Sequence, residues 1–112
     1  MSRKLSGLQA WVIQRVSAVY IAIFIVATSL SLLVNGPPEN YQAWKHLWAT
    51  PLFNLATSLF IAALLLHAWV GIRDIVLDYI HPPALRFIVL SLLIGALLGC
   101  ALWSARILIH VF

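Results

Sequence analysis

A histidine at position 67 sits in Leu64-Leu65-Leu66-His67-Ala68-Trp69-Val70-Gly71, and the nearest polar side chain before it is Ser58, more than two turns away. A polar ring in such company costs free energy and normally has a partner. Two chemistries answer that need. The ring can hydrogen-bond to a neighbouring helix, or one of its nitrogens can ligate the iron of a buried tetrapyrrole, since neutral imidazole is a good iron ligand and an apolar site suits the macrocycle. Gly71, one turn on and on the same face, leaves room for a flat ring system. At 100° per residue Asp74 and Asp78 fall within about 20° of the His67 direction. With a rise of 1.5 Å per residue, Asp78 lies roughly 16 Å further along the axis. That spacing suits one cofactor in an oily interior and a second site nearer the surface. His46 and His81 fall in loops and His110 near the C-terminal end, so an iron held by two histidines needs its second from another protein of the same assembly.

Composition names the surroundings of this helix. The 112 residues are 63% hydrophobic and 9% charged, against about half and about a quarter in a soluble domain. Three acidic and seven basic residues cannot clothe a soluble core of this size. The apolar residues form long runs rather than stripes, so the bilayer is their solvent. The net charge of +4 does not point to nucleic acid, because Arg3, Lys4, Arg15, Lys45, Arg73, Arg86 and Arg106 are scattered, with no basic cluster interleaved with aromatics. They stand near the ends of apolar runs, where cations orient and anchor membrane helices. The single Cys100 cannot form an internal disulfide.

The polar breaks Asn35-Gly36-Pro37-Pro38-Glu39-Asn40 and His81-Pro82-Pro83 divide the chain into three runs, each long enough to cross a hydrocarbon core. The expected spans cover residues 11–34, 51–80 and 84–111. Thr50 is placed to cap the second span, with Pro51 at its first helical position. Its end is set by the prolines that follow Ile80. Tyr41 to Trp48 reads as a short interfacial helix, with Trp44 and Trp48 one turn apart. The basic start Met1-Ser2-Arg3-Lys4 resembles the head of a signal peptide, but the run from Val16 to Val34 is too long for one and is expected to be retained. Placing the N-terminus in the cytoplasm puts Arg3, Lys4, Arg15, Arg73 and Arg86 inside, with Lys45 and Arg106 outside. The expected fold is an all-α membrane protein of three transmembrane helices, N-terminus cytoplasmic and C-terminus periplasmic, in one domain over residues 1–112. Ser91, Gly95 and Gly99 line one face of the third span and suit close contact with a helix of this chain or another. Trp69 points away from the His67 face, toward lipid or a partner.

The segment from His67 to Tyr79, of the form H-A-W-x-G-x6-D-Y, followed by Pro82 and Ala84-Leu85-Arg86, closely resembles the second helix and loop of the small membrane anchors (type D) of bacterial succinate dehydrogenases. Trp11-Val12-Ile13-Gln14-Arg15-Val16-Ser17-Ala18 is similar to the start of that family's first helix, and length and span number match as well. The third span matches in character alone. The resemblance implies that His67 is an axial ligand of a haem b whose other ligand comes from a sister membrane anchor of type C. It implies that Asp78 and Tyr79 lie by a ubiquinone site, the tyrosine hydroxyl donating to a quinone carbonyl oxygen, and that Arg15 lies near the haem propionates. A flavoprotein and an iron-sulfur subunit would complete the complex in the bacterial inner membrane, and this chain has neither a Rossmann glycine pattern nor a cysteine cluster for their chemistry.

Each residue also has a plainer reading. Arg15 can be an interfacial anchor and Tyr79 a belt aromatic. Asp78 can cap the helix or pair with Arg73 or Arg86, and Asp74 reads as a solvated interfacial charge. The alternatives to a succinate dehydrogenase anchor are a quinol:fumarate reductase anchor and a haem-free structural subunit in which His67 is merely hydrogen-bonded.

Overall fold

The computed structural model describes residues 3–111, with side chains described from Gly7 onward. Met1, Ser2 and the last residue, Phe112, lie outside the described residues, as do the side chains of Arg3 and Lys4 on which the orientation partly rests. Four helices follow one another: α1 (Arg3–Asn35), α2 (Tyr41–Ala49), α3 (Pro51–Tyr79) and α4 (Pro83–Val111). There is no strand among the described residues. Three of the helices, over Gly7–Asn35, Pro51–Tyr79 and Pro83–Val111, are long and apolar enough to cross a membrane. The short α2 links the first two.

The helix ends show how far local chemistry carries. Among the described residues α1 is helical already at Arg3, well before Trp11. Hydropathy marks the depth of oil a helix crosses, and no proline between Arg3 and Trp11 breaks the backbone pattern, so the helix runs on past the apolar part. At its other end Gly36 takes a left-handed φ of 78° and its N–H donates to the Leu32 carbonyl at 2.8 Å. This is the turn that glycine makes without strain. Asn40 caps α2 by accepting from the Ala43 N–H at 2.9 Å. Thr50 does not cap α3 with its side chain; its hydroxyl donates backward to the His46 carbonyl at 3.1 Å. The hydroxyl thereby closes the end of α2, where carbonyls lack partners, and α3 starts on Pro51, which has no N–H to satisfy. Ile80 ends α3 in extended geometry, before Pro82 and Pro83.

α3 is the middle of the bundle. It packs against α1 on one side and α4 on the other, with α2 lying against both α3 and α4. Tyr20 donates to the Ala56 carbonyl at 2.7 Å, and Phe24 stacks on Phe60 with centroids 4.4 Å apart, which ties α1 to α3. Asn54 donates to both the Trp48 and the Leu108 carbonyls, at 3.0 and 3.2 Å, which ties α2, α3 and α4 together. Trp44 and Trp48 meet edge to face at 5.3 Å on α2. Trp69 lines the groove between α3 and α4 with Ile94 and Leu98, so it faces this chain's own third long helix.

The interior is thin. Val70, Val76, Leu108, Ser17 and Thr57 are buried, whereas side chains such as Leu33, Val34 and Leu102 are exposed. In water so much open apolar surface would aggregate, whereas lipid tails cover it at no cost. A side chain added at Gly95 or Gly99 would meet nothing within 4 Å, so the small-residue stripe of α4 is not used against the described helices of this chain.

Candidate functional site around His67 and the α3–α4 turn

Residues three apart on a helix share a face, and α1 uses that spacing to present Gln14 and Ser17 to α3. Both meet His67. The Ser17 hydroxyl lies 3.1 Å from His67 Nδ1 and also 3.1 Å from the Gln14 carbonyl oxygen, to which it donates. The Gln14 side-chain amide nitrogen lies 3.5 Å from His67 Nε2, a long contact for a hydrogen bond. Ser17 is buried and His67 half-buried, and the Gln14 amide oxygen is buried with no partner.

A hydroxyl has one proton, and with that of Ser17 on the Gln14 carbonyl its oxygen is placed to accept from a protonated His67 Nδ1. That tautomer leaves the lone pair on Nε2, the nitrogen beside the Gln14 amide.

That arrangement fits an iron ligand. Metal-binding histidines give their second ring N–H to a fixed acceptor, which sets the tautomer and raises the basicity of the ligating nitrogen. Between α1 and α3 runs an open apolar groove of about 490 Å³, with Ser17 in its wall beside Val16, Tyr20, Ala63 and Leu66, though His67 itself does not line it. Among the described residues no group of three or more His, Cys, Asp or Glu could hold a bare metal ion, so this chain offers a single imidazole rather than a complete set of ligands. The gap at Gly71 is closed from within the chain: an added Cβ would meet the Gln14 amide nitrogen at 3.4 Å.

The other expected residues lie apart from this cluster. Arg15 is exposed, with its guanidinium carbon 5.5 Å from the Trp11 ring centroid, a cation over an aromatic face. Asp78 and Tyr79 are exposed at the end of α3, Tyr79 at 78%. Arg73 pairs with Asp74 at 3.2 Å and not with Asp78. Arg86 does not pair with Asp78 either: its guanidinium donates to the Ile80 carbonyl and, at 2.6 Å, to the Leu77 carbonyl. The α3–α4 turn thus leaves the Asp78 carboxylate and the Tyr79 phenol free of ion pairs within the described residues.

Sequence reasoning gave no separate role to Gln14 or Ser17, and none to Arg86 as a clamp. The available signal was two polar side chains three residues apart at the edge of an apolar run.

Comparison with known proteins decides the family. The profile of the family described as "Succinate dehydrogenase/Fumarate reductase transmembrane subunit" matches residues 1–103. The chain belongs to that family. It is 29% identical over 102 residues to the succinate dehydrogenase hydrophobic membrane anchor subunit of Coxiella burnetii, covering 91% of this chain and 88% of the relative. It is also 32% identical over 74 residues to the succinate dehydrogenase 2 membrane subunit SdhC of Mycobacterium tuberculosis, covering 65% of this chain and 54% of the relative. The protein is accordingly a multi-pass membrane anchor of the succinate dehydrogenase type, working with other subunits of a complex in a lipid bilayer.

Proposed function

We propose that this anchor belongs to a succinate dehydrogenase of a bacterial inner membrane, with its N-terminus in the cytoplasm and α2 lying in the opposite interface. Its His67 gives one axial ligand to a haem b shared with a sister membrane anchor of type C, and Tyr79 and Asp78 contribute to the ubiquinone-reduction site. The observation that carries the haem assignment is the His67 ring with the Ser17 hydroxyl 3.1 Å from Nδ1, a contact that suits a tautomer with its lone pair on Nε2. Haem, when bound, supplies a one-electron iron couple in the membrane interior. Arg15, exposed beside Gln14 at the same level of α1, presents a guanidinium suited to bidentate pairing with propionate carboxylates.

Tyr79 carries the quinone assignment. Its exposed phenol donates to a quinone carbonyl oxygen and stabilises the negative charge that develops there on reduction. Asp78, beside it, is a carboxylate without an ion pair among the described residues and is placed to take part in proton delivery. Succinate oxidation itself belongs to the flavoprotein and iron-sulfur subunits.

The experiment is purification of the complex through an affinity tag on this chain, with identification of the partners and an optical spectrum. The expected outcome is a dithionite-reducible b-type band that disappears in His67→Ala. A complex without that band, or a band unchanged in the variant, favours a second reading, a haem-free structural subunit, whose support is that His67 already has partners on α1. The family profile also spans fumarate reductases, and the relative rates of succinate oxidation and fumarate reduction by the same preparation separate the two directions.

A further inference from the structure

We propose that Ser17 is a positioning residue for the His67 imidazole, and that Gln14 covers the ligating nitrogen until iron takes its place. The inference rests on the haem reading given above and extends it to two side chains of α1.

The polarity of the cluster is continuous. With Nδ1 protonated, His67 donates to the Ser17 oxygen and the Ser17 hydroxyl donates to the Gln14 carbonyl, each across 3.1 Å. The last acceptor is a backbone carbonyl inside a helix, which cannot swing away, so the serine is locked and the ring is locked through it. Ser17 is 6% exposed, so water does not compete for the imidazole N–H. In a medium of low dielectric an N–H held this way puts more electron density on the opposite nitrogen. His67 held this way would offer iron a more basic Nε2, which would favour the ferric state.

Gln14 plays the other part. Its amide nitrogen stands 3.5 Å from Nε2, too far for a strong bond yet close enough to occupy the approach to the lone pair. Its amide oxygen is buried without a partner, so the side chain is poorly satisfied where it stands. A residue held by one long contact gives way readily to a stronger acceptor of the Nε2 lone pair. The Gln14 amide fills the space beside Gly71, where a Cβ would meet its nitrogen in van der Waals contact at 3.4 Å.

The test uses the purified complex carrying Ser17→Ala, Ser17→Thr or Gln14→Leu, with haem content and midpoint potential as readouts. Ser17→Ala is expected to shift the ferric–ferrous equilibrium about tenfold toward ferrous, a rise of about 59 mV for one electron, and to lower haem retention. Ser17→Thr, which keeps the hydroxyl, is expected to restore both. Gln14→Leu is expected to keep the wild-type potential, because in a haem-loaded complex Nε2 would be committed to iron rather than to the Gln14 amide. Should Ser17→Ala fail to assemble, Ser17→Cys, whose sulfur is a much weaker acceptor, takes its place: a raised potential supports the assignment and an unmoved one overturns it. A normal haem band in the wild type with an unmoved potential in Ser17→Ala overturns this inference alone. A wild-type complex with no haem band overturns the haem reading together with it.

Discussion

Arg86, at the start of α4, donates through Nη2 to the carbonyl of Leu77 at 2.6 Å, two residues before Tyr79. It donates through Nε to the carbonyl of Ile80, one residue after Tyr79. The last carbonyls of a helix lack partners inside it and carry partial negative charge. A guanidinium therefore closes the end of α3 on both sides of the Asp78-Tyr79 pair and leaves those two side chains pointing outward.

Replacing Arg86 tests the clamp. Arg86→Ala removes two charge-assisted bonds and is expected to cost about 1–3 kcal/mol, read as a lower thermal midpoint of the detergent-solubilised complex. Arg86→Lys is expected to recover only part of this, because an ammonium cannot reproduce the forked geometry. A loosened α3 end also moves Tyr79, so KM for quinone should rise in both variants. An unchanged midpoint would show that the two carbonyls find other donors.

Tyr79→Phe is expected to lower kcat/KM for quinone about tenfold, corresponding to about 1.4 kcal/mol of lost transition-state stabilisation. Assembly should be untouched, since the phenol is exposed and makes no hydrogen bond within the described residues. Steady-state kinetics beside a gel-filtration profile separate the two effects.

The two aspartates of α3 are expected to behave differently. Asp74 forms an exposed pair with Arg73, so Asp74→Asn should change stability by no more than ~1 kcal/mol and leave quinone reduction alone. Asp78→Asn should slow quinone reduction without loss of assembly. Equal kinetic losses in both would take away the special place given to Asp78.

Asn54 is a polar joint between three helices, donating to carbonyls near the ends of α2 and α4. Asn54→Ala leaves both carbonyls short of a donor and is expected to cost about 1–2 kcal/mol. The weakest element is α2, so faster proteolysis of the segment between α1 and α3 is the expected readout, with the haem spectrum unaltered.

Tyr20→Phe removes the bond from the phenol to the Ala56 carbonyl while keeping the ring. Interhelical hydrogen bonds in membranes are worth about 0.6 kcal/mol on average and at most about 1.7. A loss within that range in a thermal series is expected, since the neighbouring Phe24–Phe60 stack still holds α1 against α3.

Three apolar helices, their interruption at the prolines and Gly36, and the need of His67 for a partner are all legible in the order of the residues. Those features depend on forces acting within one segment: the oil-like length of each run, the missing N–H of proline and the cost of a polar ring among leucines. Helix ends were less legible, as Arg3 and Thr50 show, because a helix can outrun its apolar part and a hydroxyl can serve the helix before it. Which side chains of α1 meet His67 was decided only when the helices came together. Ser17 lies fifty residues earlier, and its meeting with the ring depends on how far α1 is turned and how deep it sits against α3. Packing between helices such as Phe24 on Phe60 sets that rotation and depth, and no periodicity within a single helix contains it.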